Sequence, residues 1–318
     1  MERILAGVDV GGTTVKLGFF PWEGKCLDIS EIPTPHTGEQ ADLWDAIADG
    51  IRTRLDELKI ERDRLAAIGV AVPGPVDAKG YVPWLVNIGL GGCFPAKELE
   101  ARLNVPAVCA NDANAAALGE AIYGAGAGRE QAAMLTLGTG VGGGLIVDGK
   151  IVPGAHGCGA EVGHFVVNPD EELACNCGNH GCLEQYASAT GIVRTAKRFL
   201  DGTDEPSVLR GEDPDTMDAK CVMDAAKAGD AIALRTLDVF GKYLGLGISY
   251  IIETTDPEIV MIGGGVSKAG KILIDAVTPY VERFTHIVKT KPEIVLATLG
   301  NDAGAAGCAA LAKQCLKP

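Results

Sequence analysis

One local pattern occurs twice in the sequence, near the start of each half of the chain. In both copies a β-rich run leads into a turn rich in glycine and threonine, and a second β-rich run follows. The turns begin at Gly11 and Gly138, an offset of 127 residues, and the runs are residues 3–10, 15–20, 131–137 and 145–147, which leaves 138–144 as the second turn. This repeat predicts a duplicated α/β fold. The alternative is that two glycine-rich hairpins look alike by chance.

The remainder of the chain alternates between helical and strand-like hydrophobic spacing. Helices are predicted at residues 41–59, 112–123, 188–200, 218–228, 230–253, 270–284 and 303–316. Further strands are predicted at residues 65–72, 105–110, 258–262 and 293–298, and residues 201–214 are interpreted as a polar insertion. A length of 318 residues indicates two domains, at about 100–200 residues each.

The charge balance excludes several classes of partner. The chain has 28 Lys and Arg against 42 Asp and Glu, a net charge of −14, and its aromatic content is 5%. It should therefore repel nucleic acid and anionic membranes, and it lacks the aromatic residues of a base-stacking platform. An anion such as ATP would have to be held by backbone N–H groups and Mg²⁺.

The cellular compartment is indicated by the start of the chain and by its cysteines. The first residues enter a strand-like run with no signal-peptide pattern, and the longest apolar stretch, 231–252, is interrupted by Arg235, Asp238 and Lys242. Ten cysteines in such a chain are typical of reduced thiols. The sequence predicts a cytoplasmic protein without a membrane span.

Glycine accounts for 43 residues, about twice its average share, and it is concentrated in three turns after predicted strands. The turns are Gly11-Gly12-Thr13-Thr14, Gly138-Thr139-Gly140 and Gly263-Gly264-Gly265. Glycine lets a backbone approach phosphate closely, and turn N–H groups form anion sites. One such turn is typical of any loop, whereas three favour nucleotide binding. The Rossmann fingerprint does not fit, because a strand follows Gly143, and Ile272 stands where a P-loop needs Ser or Thr.

Polar residues beside these turns have alternative interpretations. Asp9 could face Mg²⁺ or its water shell, or could cap the first turn. Lys16 could reach a phosphate or could lie on the strand surface. Asp112, which follows Asn111 at the start of a predicted helix, is either the helix N-cap or a general base for a substrate hydroxyl.

The cysteine run 175–182, with the pattern Cys-x-Cys-Gly-x-x-Gly-Cys, is the most specific motif. Three cysteines in a folded-back loop suit Zn²⁺, which takes four tetrahedral ligands. A disulfide or redox role is the alternative, but a reducing compartment favours a metal. The fourth ligand could be His164 or His180, and spacing does not decide between them.

Three further polar residues, Glu161, His164 and Glu184, flank the cysteine run. Each is compatible with an ion pair or with simple exposure. If a metal folds the loop back, however, the three side chains converge and offer the hydrogen-bonding groups that a polyhydroxylated ligand needs.

Taken together, these motifs resemble the ROK family of sugar kinases, and within it the bacterial glucokinases. The motifs that carry the resemblance are Asp9-x-Gly11-Gly12-Thr13, Asn111-Asp112, Glu161-x-x-His164 and the run 175–184. The resemblance extends over essentially the whole chain. It implies the actin-like, ribonuclease-H-like duplicated α/β fold with a zinc loop. Residues 1–123 would form a smaller domain and 124–300 a larger one, with a helix at about 301–318 packed back on the first.

The resemblance also implies roles for individual residues, with Asp112 as the catalytic base. The residues implied to bind the hexose are Asn87, Asn111, Asp112, Glu161, His164 and Glu184. Those implied to bind the nucleotide are Asp9, Gly11, Gly12, Thr13, Thr14, Lys16, Gly138, Thr139 and Gly140 near the phosphates and Mg²⁺, and Gly263, Gly264 and Gly265 at the adenosine. The implied zinc ligands are His164, Cys175, Cys177 and Cys182, which leaves His180 as an exposed loop residue.

The implied activity is transfer of a phosphoryl group from ATP to the 6-hydroxyl of glucose, with the two domains closing on the sugar. Alternatives within the family are N-acetylmannosamine, N-acetylglucosamine, fructose or allose as acceptor, and polyphosphate as donor. The family also contains sugar-sensing transcriptional regulators with an added N-terminal helix-turn-helix region. A motif that begins at Asp9 leaves no room for that region, so this function is disfavoured. The family further suggests a homodimer.

Overall fold

The computed structural model of the protein describes residues 2–23, 25–85 and 88–316. Contacts divide the chain into two compact units. Unit 1 consists of Met1–Glu130, Gly144–Ala160 and Leu299–Pro318, and unit 2 of Gln131–Gly143 and Glu161–Thr298. The sequence prediction assigns all of residues 124–300 to the second domain, so the two divisions differ over residues 124–130, 144–160 and 299–300.

The sheet of unit 1 has five strands among the described residues. They are β1 (Ile4–Val10), β2 (Thr14–Pro21), β3 (Asp28–Pro33), β4 (Leu65–Val72) and β5 (Ala107–Asn111), in the order β3-β2-β1-β4-β5. The first three are antiparallel neighbours, whereas β1, β4 and β5 are parallel. The central strands β1 and β4 are almost wholly apolar and buried, as expected of strands covered on both faces.

The second sheet repeats this topology. Its strands are β6 (Ala132–Leu137), β7 (Val141–Val147), β8 (Lys150–Ile151), β9 (Ile259–Gly263) and β10 (Glu293–Leu296), in the order β10-β9-β6-β7-β8. When β6 to β10 are matched with β1 to β5, the two strand orders are the same. The duplicated α/β fold predicted from the glycine-rich hairpins is therefore confirmed.

The α-helices among the described residues are α1 (Gln40–Glu57), α2 (Pro95–Leu103), α3 (Asp112–Tyr123), α4 (Glu184–Ala187), α5 (Ala189–Asp201), α6 (Ala219–Lys227), α7 (Ala231–Thr255), α8 (Lys271–Phe284) and α9 (Ala303–Cys315). The helix α1 shows why they form: Leu43, Ile47 and Ile51 recur at helical spacing, and all are fully buried in the core of unit 1. In the part of the chain that the structure describes, no helix combines the length and apolarity needed to cross a membrane.

The C-terminal helix α9 packs on β1 and β4 at unusually close range. A Cβ atom added at Gly7 or Gly69 would lie less than 3.0 Å from the backbone of Ala305 or Cys308. Glycine in the strands and alanine in the helix therefore allow the two backbones to approach. Part of the glycine excess serves this packing rather than the three turns.

Three differences from the predicted elements have local causes. The strand β3 was not predicted, because it is a half-exposed edge strand with acidic residues and no apolar run. The helix α2 was not predicted either, since it has nine residues and no side-chain cap. The second turn ends at Gly140 rather than 144, because β7 begins at Val141. Its Gly144 packs against the side chain of Ala117 in α3, where a larger residue would not fit.

Candidate functional site

The first glycine turn is a tight hairpin between β1 and β2. The N–H of Gly11 donates to the carbonyl of Thr14 at 3.0 Å. Thr34 fixes this turn from the side: its hydroxyl donates to the carbonyl of Gly11 at 2.7 Å, and its N–H donates to that of Thr13 at 2.9 Å. Thr34 is buried and belongs to no sequence motif. It directly follows β3, which was not predicted, so the sequence offered no signal for it. Within the described residues the N–H of Gly12 has no hydrogen-bond partner and is available to an anion.

Asp9 lies on β1 directly before this turn, in register with Lys16 of β2. Burial and then the charge of Asp112 raise its pKa to about 6, and the charge of Lys16 opposes this shift. A Cβ atom at Gly304, in the first turn of α9, would lie less than 3.0 Å from the Asp9 carboxylate. The carboxylates of Asp9 and Asp112 are therefore close enough to repel each other, and such a pair is a donor set that fits Mg²⁺.

Lys16 is engaged within unit 1. Its Nζ donates to the carbonyl of Asn301 at 2.8 Å and to Oδ1 of Asp302 at 3.1 Å, and it lies 3.7 Å from the carboxylate of Glu31. A contact between this ammonium group and a phosphate remains a prediction, and it would require Lys16 to exchange one of these partners.

The helix α3 is capped by Asn111, the last residue of β5. Its Oδ1 accepts hydrogen bonds from the N–H groups of Ala113 at 3.0 Å and Asn114 at 3.2 Å. Its Nδ2 donates to the carbonyl of Gly74 at 3.1 Å and to Oδ1 of Asp112 at 2.9 Å. The interpretation of Asp112 as the N-cap is therefore wrong, because Asn111 performs that role.

Asp112 is thereby left as the first residue of α3, with its side chain exposed. The surrounding protein limits the hydration of the carboxylate and raises its pKa, while hydrogen bonds from Ala113 and Asn111 oppose the shift. A reachable carboxylate with a raised pKa is suited to accept a proton from a substrate hydroxyl.

In unit 2, one histidine and three cysteines form a cluster. The ligand atoms of His164, Cys175, Cys177 and Cys182 all lie within 4.8 Å of one another. Nδ1 of His164 is 3.9 Å from Sγ of Cys175, and Sγ of Cys177 is 3.7 Å from that of Cys182. A tetrahedral zinc site with Zn–S bonds of about 2.3 Å has edges of about 3.8 Å. The donors and their spacing therefore fit Zn²⁺ in a closed, structural site.

The structure distinguishes between the two histidines between which the spacing of the cysteine motif does not decide. His164 ends the 3-10 helix Val162–His164 and belongs to the cluster. His180 lies in the loop with its Nδ1 3.1 Å from the carbonyl oxygen of Glu171, and it is not part of the cluster.

Glu171 ties the cysteine loop to the helices behind it. Its buried carboxylate accepts two hydrogen bonds from Arg198, at 2.7 and 2.9 Å, and one from the hydroxyl of Tyr186 at 2.6 Å. The bonds from Arg198, with those from Tyr186 and Leu173, lower its pKa to about 2 against the effect of burial. No motif in the sequence marks Glu171, because its partners are distant along the chain.

The two acidic residues that flank the cluster differ in their surroundings. Glu161 precedes the 3-10 helix of His164 and is exposed. Glu184 is the first residue of α4, and its carboxylate lies 3.5 Å from Sγ of Cys175 and accepts a hydrogen bond from the N–H of Val141 at 3.1 Å. The predicted contact Asn87 lies outside the described residues.

The second and third glycine turns meet at a cavity of about 400 Å³ within unit 2. Gly138 and Thr139 line it together with Met223 of α6, Gly265 and Lys268. Its volume is in the range of small-molecule sites, about 300–1,000 Å³.

In the third turn, the glycines differ in position. Gly265 lines the cavity, whereas Gly263 is the last residue of β9. Gly264 has φ of 83° and packs on the backbone of Leu137. The sequence did not single out the cavity residues Met223 and Lys268. Met223 lies on a predicted helix without a motif, and Lys268 lies between the third glycine turn and the helix predicted at 270–284.

The predicted residues thus form one group in each unit. Unit 1 carries Asp9, Gly11, Gly12, Thr13, Thr14, Lys16, Asn111 and Asp112. Unit 2 carries Gly138, Thr139, Gly140, Glu161, His164, Cys175, Cys177, Cys182, Glu184, Gly263, Gly264 and Gly265.

Residues 5–315, nearly the whole chain, match the model of the ROK family. The chain belongs to the ROK family. This confirms the resemblance seen in the motifs, and it agrees with the two matching sheets. A glucokinase of Halalkalibacterium halodurans is 41% identical to the chain, over 98% of this chain and 96% of that protein.

Solved structures of the ROK family have the same fold. The ROK hexokinase from Thermus thermophilus matches with a TM-score of 0.81 and 31% identity, over 100% of this chain and 99% of that one. A ROK family glucokinase from Streptomyces griseus, in complex with glucose and AMPPNP, matches with a TM-score of 0.76 and 34% identity, over 99% and 100%.

Proposed function

We propose that this protein is an ATP-dependent hexose kinase that phosphorylates glucose at its 6-hydroxyl. The observation that carries the proposal is the capping of α3 by Asn111, which leaves the carboxylate of Asp112 exposed and with a raised pKa. Glucose as the acceptor is supported by the glucokinase relative at 41% identity and by the Streptomyces griseus enzyme, whose structure holds glucose and AMPPNP.

Asp112 is the general base of this reaction. Its carboxylate accepts the proton of the 6-hydroxyl as that oxygen bonds to the γ-phosphorus of ATP, and the bond from this phosphorus to the ADP oxygen breaks in line. When bound, Mg²⁺ neutralises part of the charge that develops on the phosphates. Asp9 would hold this ion through its water shell, and a bound cation would offset the two causes that raise the pKa of Asp9, which are burial first and then the charge of Asp112.

The remaining phosphate charge is met by backbone donors. The N–H groups of Gly12, Thr139 and Gly140 bind the phosphates, whereas the N–H of Gly138 donates to the carbonyl of Gly140 at 2.9 Å. These local donors are needed because the net charge of −14 gives no general attraction to ATP. The 400 Å³ cavity beside Gly265 takes the adenosine, with Gly263 and Gly264 supporting that wall.

The hydroxyl groups of the hexose are bound by Asn87, Asn111, Glu161, His164 and Glu184. Glu184 is suited to bind a sugar hydroxyl. A metal-bound Cys175 would carry no proton and would donate no hydrogen bond to the carboxylate oxygen beside its sulfur. That oxygen would therefore be able to accept a hydrogen bond from a hydroxyl group of the hexose. His164 would hold the zinc ion through Nδ1, beside Cys175, and its other ring nitrogen would then be left to face the sugar.

The function is tested by phosphorylation of a sugar panel. The purified protein is assayed for ADP release with Mg²⁺-ATP and glucose, mannose, fructose, allose, N-acetylglucosamine or N-acetylmannosamine. We expect the highest kcat/KM with glucose. A preference for an N-acetylhexosamine would contradict glucose as the acceptor but not the kinase activity, and release of ADP with none of the sugars would refute both. Replacing ATP with polyphosphate tests the donor.

We further propose that the protein acts in the cytoplasm as a homodimer without a nucleic-acid partner. The strong negative charge supports the last point, because a duplex repels it. Light scattering on the eluting protein measures its mass in solution, and a gel shift with genomic fragments tests nucleic-acid binding. A monomer, or a shifted fragment, contradicts the corresponding part.

A further inference from the structure

The carboxylate of Glu184 contacts two parts of unit 2 at once. Its Oε1 lies 3.5 Å from Sγ of Cys175 in the zinc cluster. Its Oε2 accepts a hydrogen bond from the N–H of Val141 at 3.1 Å. Since Val141 directly follows Gly140, one side chain touches both the zinc cluster and the end of the second glycine turn.

Gly140 leaves room for this carboxylate, and the constraint there is one of space rather than of backbone conformation. Its φ lies outside the left-handed region, so an L-residue could adopt it. A Cβ atom there would nevertheless lie less than 3.0 Å from Oε2 of Glu184, closer than Cβ atoms come in proteins. Gly138 in the same turn is the opposite case, because nothing lies within 4 Å of an added Cβ.

The rest of the turn is attached to the same helical segment. The carbonyl of Gly138 accepts a hydrogen bond from the N–H of Ala189 at 2.7 Å, and that of Thr139 accepts one from the hydroxyl of Thr190 at 2.8 Å. Ala189 and Thr190 begin α5, which follows the helix of Glu184 after one residue. The bond from Val141 to Glu184 therefore completes a line of three hydrogen bonds between the turn and residues 184–190.

We infer that Glu184 is a positioning residue for the nucleotide-binding turn, in addition to its contact with the hexose. It fixes the N–H of Val141 and so the orientation of the turn from Gly138 to Gly140. This role rests on the proposed function, in which that turn binds the phosphates. Glu184 then affects nucleotide affinity without touching the nucleotide, even when no hexose is bound.

The experiment is a double-mutant cycle on the zinc-loaded full-length protein, with the Kd of Mg²⁺-ADP measured by calorimetry in the absence of hexose. We expect Glu184→Ala to raise this Kd about fivefold through loss of the Val141 bond, and Glu184→Gln, which keeps an acceptor oxygen, to stay within about twofold of wild type. We expect Gly140→Ala to raise the Kd about tenfold or more in the wild-type chain but only about twofold in the Glu184→Ala chain, where the overlap is gone.

Gly138→Ala measures the effect of a methyl group on nucleotide binding where no protein atom is in the way. A loss with Gly140→Ala that equals this one, or that is the same with and without Glu184, overturns the inference, because the methyl group then contacts the nucleotide itself. An unchanged Kd with Glu184→Ala, or an equal loss with Glu184→Gln, also overturns it. If Glu184→Ala lowers the zinc content, the effect of Gly140→Ala is measured in a Glu184→Asp chain instead. The shorter side chain of aspartate withdraws the carboxylate oxygen from Gly140.

The cycle and the sugar assay separate this role from the proposed function. A wild-type protein that phosphorylates no hexose, but in which the cycle shows the expected coupling, refutes the proposed function alone. A protein that phosphorylates glucose while the two substitutions act additively on Mg²⁺-ADP binding refutes the positioning role alone.

Discussion

Asp112 can act as a base because the preceding residue, Asn111, caps the helix α3. An aspartate that caps α3 would have its oxygens committed to backbone N–H groups, which would hold its pKa low. Asn111 accepts from Ala113 and Asn114, so Asp112 shares only the N–H of Ala113; its carboxylate is exposed and has a raised pKa. Two adjacent polar residues thus divide a structural and a chemical role.

Replacing the base should affect catalysis far more than binding. We expect Asp112→Asn to lower kcat by about 10²–10⁴, since general-base catalysis contributes that much, while the affinity for glucose changes little. The ADP-release assay gives kcat, and calorimetry gives the glucose affinity. Asp63→Asn, at an exposed acid in the 3-10 helix Arg62–Arg64, is the matched control. A kcat near wild type for Asp112→Asn would show that another group takes the proton.

The two histidines near the cysteine loop provide a second test with a built-in control. We expect His164→Ala to lose zinc and hexose affinity, because its Nδ1 lies in the metal cluster. His180→Ala should retain both, since His180 contacts the carbonyl of Glu171 instead. Elemental analysis after dialysis gives the zinc content of each variant. Equal zinc in the two proteins would rule out His164 as the fourth ligand.

At the level of elements, the long helix α7 illustrates how one side chain can join two segments. Asp230 caps α7 by accepting from the N–H of Ala233 at 3.0 Å. It also accepts from the hydroxyl of Ser207 at 3.0 Å and the N–H of Val208 at 2.8 Å. The polar insertion 201–214, which the sequence leaves without structure, is thereby fastened to the start of α7 and contains the 3-10 helix Val208–Gly211.

Removing this cap should destabilise the protein without changing its chemistry. We expect Asp230→Ala to lower the free energy of unfolding by about 1–2 kcal/mol, and Asp230→Asn, which keeps one acceptor oxygen, to lower it less. Urea unfolding measures the effect. The kcat of Asp230→Ala with glucose should stay near wild type, and a stability equal to wild type would mean that the cap contributes nothing.

Across the whole molecule, two carboxylates have opposite effects on stability as the pH changes. Glu171 has its pKa lowered from 4.5 to about 2, so it stabilises the fold above about pH 4.5 and loses that contribution as the pH falls towards 2. Asp9 has its pKa raised from 3.8 to about 6, so its ionisation costs stability above pH 6 and costs nothing below about pH 3.8. Without a bound cation, the charge of Asp9 therefore lowers the free energy of unfolding at neutral pH.

This difference predicts a stabilising substitution at a functional residue. Without Mg²⁺ and nucleotide, we expect Asp9→Asn to raise the free energy of unfolding at pH 7 by about 1–3 kcal/mol, because the buried charge is removed. The gain should disappear near pH 4, where Asp9 is largely protonated in the folded and half protonated in the unfolded protein. Urea unfolding at both pH values measures it, with Asp63→Asn as the control. The absence of any gain at pH 7 would show that the charge of Asp9 is already compensated.

Features that depend on neighbours along the chain could be predicted from the sequence. Helical spacing located α1, buried apolar runs located β1 and β4, and both glycine hairpins revealed the duplication. The three cysteines of the metal loop were found for the same reason, since they lie within eight residues. In each case the signal and the structure that it forms occupy one short segment.

The tertiary structure decided what depends on residues far apart in the sequence. It selected His164 over His180 for the metal cluster, assigned the cap of α3 to Asn111, and brought Thr34 to the first turn. It also showed that a side chain at Gly140 would displace the carboxylate of Glu184, 44 residues later. Local propensity carries no information about such contacts, because they exist only after the sheets and helices have packed. The sequence by itself determined the family, the duplicated fold and the chemical groups, and packing determined which atom of each group faces which partner.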